Sequence, residues 1–146
     1  MKDITTDIII HAAPQLIWRI LTDFERYPRW NPFIREIAGE ARLGERLKVR
    51  IEPPGGRGMT FKPRVVEMVK ERELRWLGRL LLPGLFDGEH SFRLETLPDE
   101  RVHFIQRECF QGALVPFVWQ RMADNTRNGF RQMNAALKKR AEEHDR

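Results

Sequence analysis

Three polar residues, His90, Gln106 and Glu108, stand among apolar neighbours at the spacing of β-strands. In "FDGEHSFRLETL" the alternation puts Phe86, Gly88, His90, Phe92 and Leu94 on one side and Asp87, Glu89, Ser91, Arg93 and Glu95 on the other. The histidine falls on the apolar side, where an imidazole must meet a partner, water or a ligand. The next segment carries Val102, Phe104, Gln106, Glu108 and Phe110 on its more apolar side, with His103, Ile105, Arg107, Cys109 and Gln111 opposite. If the two strands form a hairpin around Pro98, Asp99 and Glu100, His90 faces Glu108 and Phe92 faces Gln106. An imidazole against a carboxylate is suited to general acid–base work, which makes His90 and Glu108 the candidate catalytic residues. With Gln106 they equally form a cluster that orients a carbonyl, hydroxyl or carboxylate on an otherwise apolar ligand, or a pair that satisfies itself within a core. No covalent nucleophile is indicated: Cys109 is expected to face outward, and no Ser/His/Asp arrangement is visible.

The second group of candidates is apolar. In "ELRWLGRL", Leu74, Trp76, Gly78 and Leu80 share a face, and the glycine beside the indole leaves room for a ligand. Trp76 and Phe92 are the expected cavity walls, with Phe104 and Gln106 on the neighbouring strand. Met59, Phe61, Met122 and Phe130 are expected to extend the lining, as are Val65 and Met133, and Trp30 is a further candidate. Thioethers adapt to ligands of varied shape. The alternative for each is ordinary core packing.

These residues need a scaffold that turns strands and a helix toward one interior. Residues 3–11 read as a β-branched strand, followed by a short helix with Pro14 in its first turn and Leu16, Ile17, Ile20 and Leu21 at helical spacing. Phe24 to Trp30 reads as a second short helix or turn, ending where "WNPF" forces extended backbone before Pro32. Period-two patterns place strands near 34–43, 46–52, 59–70, 72–80, 86–97 and 101–112, separated by turn residues such as "PPGGRG" at 53–58. Past Pro116, Trp119, Met122, Thr126, Phe130, Met133 and Leu137 recur at helical intervals, to about Glu143. Short connections favour an antiparallel meander. The fold class expected is α+β: a curved antiparallel sheet wrapped around a long C-terminal helix, with two short helices after the first strand.

The chain has 146 residues, which fits one domain over 1–146. A single cysteine excludes an intramolecular disulfide, and with no CxxC or His/Cys cluster neither a metal nor a cofactor is expected. The charge of +5 is spread over many segments and interleaved with Asp and Glu, which argues against nucleic acid as a partner. No apolar run approaches the ~20 residues of a spanning helix, and the first ten residues lack a secretory core, so stable membrane insertion is not expected and the location read is cytoplasmic. "GGRG" lacks the Lys-Ser/Thr and following helix of a phosphate loop. The apolar "LLLPGLF" connection, residues 80–86, is a candidate gate or docking patch.

The order of elements and three stretches together carry a resemblance: "IIIHAAPQLIWRILTDFERYPRWNPFI", "ELRWLGRLLLPGLFDGEHSFRLE" and "GALVPF" at the entry to the last helix. Over essentially its whole length the chain resembles the START/Bet v1-like (SRPBCC) superfamily, in particular its polyketide cyclase/dehydrase-like and lipid-transport branch. The resemblance implies a helix-grip fold and a cavity between sheet and helix that takes a lipid, quinone, polyketide or other aromatic compound. It implies no catalytic residue, since no catalytic motif runs through the superfamily. The expected function is binding of a hydrophobic small molecule. The alternatives are a cofactor-independent cyclase, dehydratase or isomerase using His90 and Glu108, and a module that docks on a partner protein or membrane surface. A monomer or homodimer is expected.

Overall fold

The computed structural model describes residues 1–80 and 82–144. Strand β1 (Lys2–Ile10) leads into helix α1 (Pro14–Thr22), where Pro14 occupies the first turn and Ile17, Trp18, Ile20 and Leu21 are buried. A 3-10 turn (Phe24–Arg26) runs into the single-turn helix α2 (Tyr27–Trp30), which Pro28 begins rather than breaks. The buried Asn31 then turns the chain: its Oδ1 accepts from the backbone N–H groups of Phe33 (2.9 Å) and Ile34 (2.8 Å). That turn delivers Phe33 to the interior.

Seven further strands follow: β2 (Ile34–Ala38), β3 (Lys48–Ile51), β4 (Met59–Phe61), β5 (Arg64–Val69), β6 (Glu73–Leu80), β7 (Phe86–Thr96) and β8 (Val102–Gln111). Two expected boundaries are corrected. The strand expected over 34–43 stops at Ala38, because Gly39 takes φ 121°, a conformation that ends the extended run. The stretch 59–70 is two strands, since Pro63 has no N–H to give a ladder; its carbonyl instead accepts from Leu47 N–H. The strands therefore form a five-stranded antiparallel sheet, β1-β8-β7-β6-β5, and a three-stranded one, β2-β3-β4, linked by an Arg46–Arg64 bridge.

Helix α3 (Val115–His144) closes the open side of the large sheet and packs on β1, β8, α1 and α2. Its buried stripe includes Ala123, Thr126, Phe130, Met133, Leu137 and Ala141. The close approach of α3 to the turn at Phe33 depends on Gly129, where a Cβ would run into the Phe33 ring. At its far end α3 is stapled to β1: Lys138 Nζ donates to the Ile9 carbonyl (2.7 Å) and to Glu142 (2.6 Å), whose Oε2 also accepts from His11 N–H (2.9 Å). No helix among the described residues is long and apolar enough to cross a membrane.

The interior so formed is a helix-grip core. Its largest fully buried side chains are Trp76, Tyr27, Phe33, Phe92, Phe104 and Phe130.

Candidate functional site

The β7–β8 hairpin has the register read from the alternation: His90 pairs with Glu108 and Phe92 with Gln106. On the other side of β7, Trp76 of β6 pairs with His90, and Gly78 with Gly88. Three strands thus present Trp76, His90, Glu108 and two glycines side by side on the concave face. The glycines leave that face bare, and a cavity of about 350 Å³ stands above it, between the sheet, the β3–β4 loop and α3. Pocket volumes of about 300–1,000 Å³ are usual for small-molecule sites.

His90 is 3% exposed and set in aromatic surroundings: its ring stacks on Phe92 with centroids 4.5 Å apart and lies 4.9 Å from Phe130 and 5.5 Å from Trp76. A chain of hydrogen bonds fixes its protonation pattern. The Phe130 carbonyl can only accept, so the end of Gln106 that meets it at 3.4 Å is the amino group, which also donates to Asn134 Oδ1 at 2.7 Å. Asn134 in turn donates to Thr6 Oγ1 at 2.9 Å. Gln106 Oε1 faces His90 Nε2 at 2.9 Å and can only accept, so Nε2 carries a proton. Nδ1 is left facing Glu108 Oε1 at 3.4 Å. An imidazole nitrogen and a carboxylate oxygen thus face one another, two groups that can each hold a proton.

The Glu108 side chain is 15% exposed, and its second oxygen lies over Gly88, where a Cβ would be 2.5 Å from Oε2. Both His90 and Glu108 belong to the cavity wall, so the pair borders the space a ligand would occupy. The buried indole N–H of Trp76, also in the wall, has no acceptor among the described residues.

Of the residues expected from sequence, Trp76, Met59, Phe61, Met122, His90 and Glu108 come together around the cavity. Phe92, Phe104, Gln106 and Phe130 point inward but stand in the packed layer beside the cavity and do not line it, as do Val65 and Met133. Inward-facing positions exceed the places at the cavity surface, because α3 packs directly on part of the sheet. Trp30 lies elsewhere, edge-on to Tyr27 at the α1–α2 corner, in a surface cleft with Leu16, Arg19 and Arg140. Cys109 is on the outer face, half-buried, and burial pushes its thiol pKa up, away from the reactive thiolate. No cluster of three or more His, Cys, Asp or Glu fit for a metal occurs among the described residues. In the "LLLPGLF" segment Leu81 lies outside the described residues; Leu82 is exposed, and the carbonyls of Gly84 and Leu85 accept from the N–H groups of Ala113 and Leu114.

Several site residues escape the sequence reading. Asn134 and Thr6 hold Gln106 in place, and each is a polar residue on an otherwise apolar face, Asn134 four positions after Phe130 and Thr6 between Ile4 and Ile8. Polar residues on a buried stripe were the available signal. Phe33, Arg57, Arg121 and Asn125 also reach the wall, from a turn, a loop and the helix edge.

A family model described as "Polyketide cyclase / dehydrase and lipid transport" matches residues 1–142. No curated protein matches the sequence. Among solved structures, the chain is similar to the Zhui aromatase/cyclase from a Streptomyces species, at TM-score 0.81 and 16% identity, covering 99% of this chain and 96% of that one. It is also similar to a START superfamily protein from Mycobacterium smegmatis, at 0.73 and 21% with 97% of each chain covered. A norcoclaurine synthase point mutant from Thalictrum flavum, in complex with a transition-state analogue, gives 0.76 and 13%, covering 99% of this chain and 96% of that one. At these identities the structures share the fold, and the site must be read from its own residues.

Proposed function

Because the chain belongs to the polyketide cyclase/dehydrase and lipid-transport family, we propose that it binds a hydrophobic small molecule, a lipid, quinone, polyketide or other aromatic compound, in the cavity between sheet and α3. The observation that carries this reading is an apolar enclosure with one polar pole, His90 and Glu108. Apolar burial is worth about 25 cal/mol per Å², so a ligand hiding ~300 Å² gains roughly 7 kcal/mol before association costs. The apolar wall alone sustains useful affinity. The polar pole and the free Trp76 N–H then orient a carbonyl or hydroxyl.

Native mass spectrometry of freshly purified protein, followed by organic extraction, tests the reading. A stoichiometric hydrophobic adduct is the expected result. Protein that flies empty and whose tryptophan emission ignores a panel of lipids, quinones and aromatic polyketides would sink it.

The His90–Glu108 pair at the cavity wall favours a second reading, cofactor-independent cyclisation and dehydration. With His90 as imidazolium and Glu108 as carboxylate, Glu108 takes a proton from a carbon between two carbonyls and the resulting carbanion attacks a third carbonyl. His90 gives its Nδ1 proton to that oxygen; Glu108 then returns its proton to the leaving hydroxyl as His90 Nδ1 takes one from carbon, water leaves, and enolisation of the remaining ring carbonyls completes an aromatic ring. Acid–base assistance of this kind is typically worth ~100- to 10,000-fold. Turnover of a poly-β-ketone that collapses in both His90→Ala and Glu108→Gln while binding persists would establish it. Equal turnover in both variants would rule it out.

A further inference from the structure

The charges around the cavity are unevenly placed. Among the described residues the wall holds one carboxylate, Glu108, which lies against Gly88 and is turned to His90. Its two guanidinium groups come from Arg57 in the β3–β4 loop and Arg121 on α3, both exposed residues, so they stand where the cavity meets solvent.

They flank the same opening. A Cβ at Gly56, next to Arg57, would lie 3.4 Å from the side chain of Asn125. Asn125 is one turn beyond Arg121 on α3, so the loop rests on the helix beside that arginine. Neighbouring arginines are each paired with a carboxylate: Arg50 with Glu52, Arg79 with Asp87 and Arg127 with Asp124. Neither Arg57 nor Arg121 has such a partner among the described residues. Two unpaired, fork-shaped donors at one opening fit a planar carboxylate or a phosphate. An anion at the inner pole would meet Glu108 instead, so the charge pattern also sets direction.

Resting on the reading of the cavity as a ligand site, we propose that its ligand is an amphiphile with a single anionic group, a carboxylate or phosphate monoester. That group sits between Arg57 and Arg121 at the mouth. The apolar body runs inward past Met59, Phe61 and Met122 to the bare sheet at Gly78 and Gly88. The end near His90 and Glu108 tolerates a hydroxyl or carbonyl.

The test uses three probes of one chain length, decanoate, decyl phosphate and decanol, titrated calorimetrically into the full chain and into the Arg57→Gln/Arg121→Gln double variant. Wild type is expected to bind at least one anionic probe roughly tenfold more tightly than decanol, the size of two partly exposed charge pairs. In the double variant that preference disappears, the anionic probes falling to the affinity of decanol. The preference also shrinks as salt is raised. A stronger response to decyl phosphate assigns a phospholipid-type head, and a stronger response to decanoate a free acid. Decanol binding as tightly as either anion, or a double variant that keeps the preference, overturns the proposal while leaving the cavity reading intact. Failure of all three probes to bind overturns the proposal, and the cavity reading then stands or falls on the native mass spectrum and the wider ligand panel.

Discussion

Gly78 and Gly88 lie directly opposite one another on β6 and β7, and both belong to the cavity wall. Any side chain there would project into the space above the sheet. A Cβ on Gly78 meets the Phe61 ring at 3.2 Å, and one on Gly88 meets the Glu108 carboxylate at 2.5 Å. The cavity exists because two adjacent ladder positions carry no side chain.

Two substitutions separate the roles of this glycine pair. Gly78→Val places two methyl groups in the cavity, and decanol affinity is expected to fall about tenfold or more. Gly88→Ala displaces the far end of a flexible side chain, so the fold survives, but Glu108 loses its place beside His90. It is expected to reproduce the binding behaviour of Glu108→Gln. Circular dichroism melts and calorimetric titrations check both, and decanol binding at wild-type affinity by Gly78→Val would contradict the assignment of the floor.

The network behind His90 predicts one tautomer. Long-range proton–nitrogen NMR correlations should show Nε2 protonated in the native protein, because Gln106 Oε1 can only accept there. Gln106→Leu removes that acceptor and strands Asn134 Oδ1, at a cost of about 1–3 kcal/mol for each buried group left unpaired. In that variant the fixed Nε2–H signature should give way to a mixture. Its persistence would mean that some other group orients the ring.

Phe130 belongs to the core rather than to the cavity lining. It lies 4.9 Å from the His90 ring and 5.6 Å from Phe33, and it is fully buried. Phe130→Ala should therefore cost about 3–5 kcal/mol of stability by urea denaturation. A loss below ~1 kcal/mol would show that α3 does not depend on this contact.

Glu142 links stability to pH. Burial pushes its pKa up, but the Lys138 ammonium and the His11 N–H outweigh that and hold it below the ordinary glutamate value. A carboxylate with a lowered native pKa contributes fully above its unfolded value, about 4.3, and the contribution is lost as pH falls through the native value. The stability gap between wild type and Glu142→Gln is expected to be widest near neutral pH and to close in acid. Denaturant melts at a series of pH values check this, and a gap that stays constant into acid would refute the staple.

What was legible in the residues rests on period and turn chemistry. Alternation identified the inward faces of β6, β7 and β8, and the turn at Pro98 to Glu100 set a register that places His90 against Glu108. Helical spacing located α3, and Pro14 its early counterpart α1. The break at Pro63 was missed: proline cannot give a ladder hydrogen bond, but the strong pattern on either side concealed it.

Depth was decided only by the tertiary structure. Phe92, Phe104, Gln106 and Phe130 face inward as their spacing requires, yet they are covered, while Phe33 and Arg57 reach the cavity from a turn and a loop with no period to read, and Arg121 and Asn125 from the edge of α3 beside its apolar stripe. The Gln106–Asn134–Thr6 chain joins three elements far apart in sequence, and it forms only because α3 crosses the sheet at that point. Period tells which way a side chain points from its own strand or helix. Whether it ends in packed core or at an open wall depends on how far away the opposing element stands, and that distance is a property of the assembled layers.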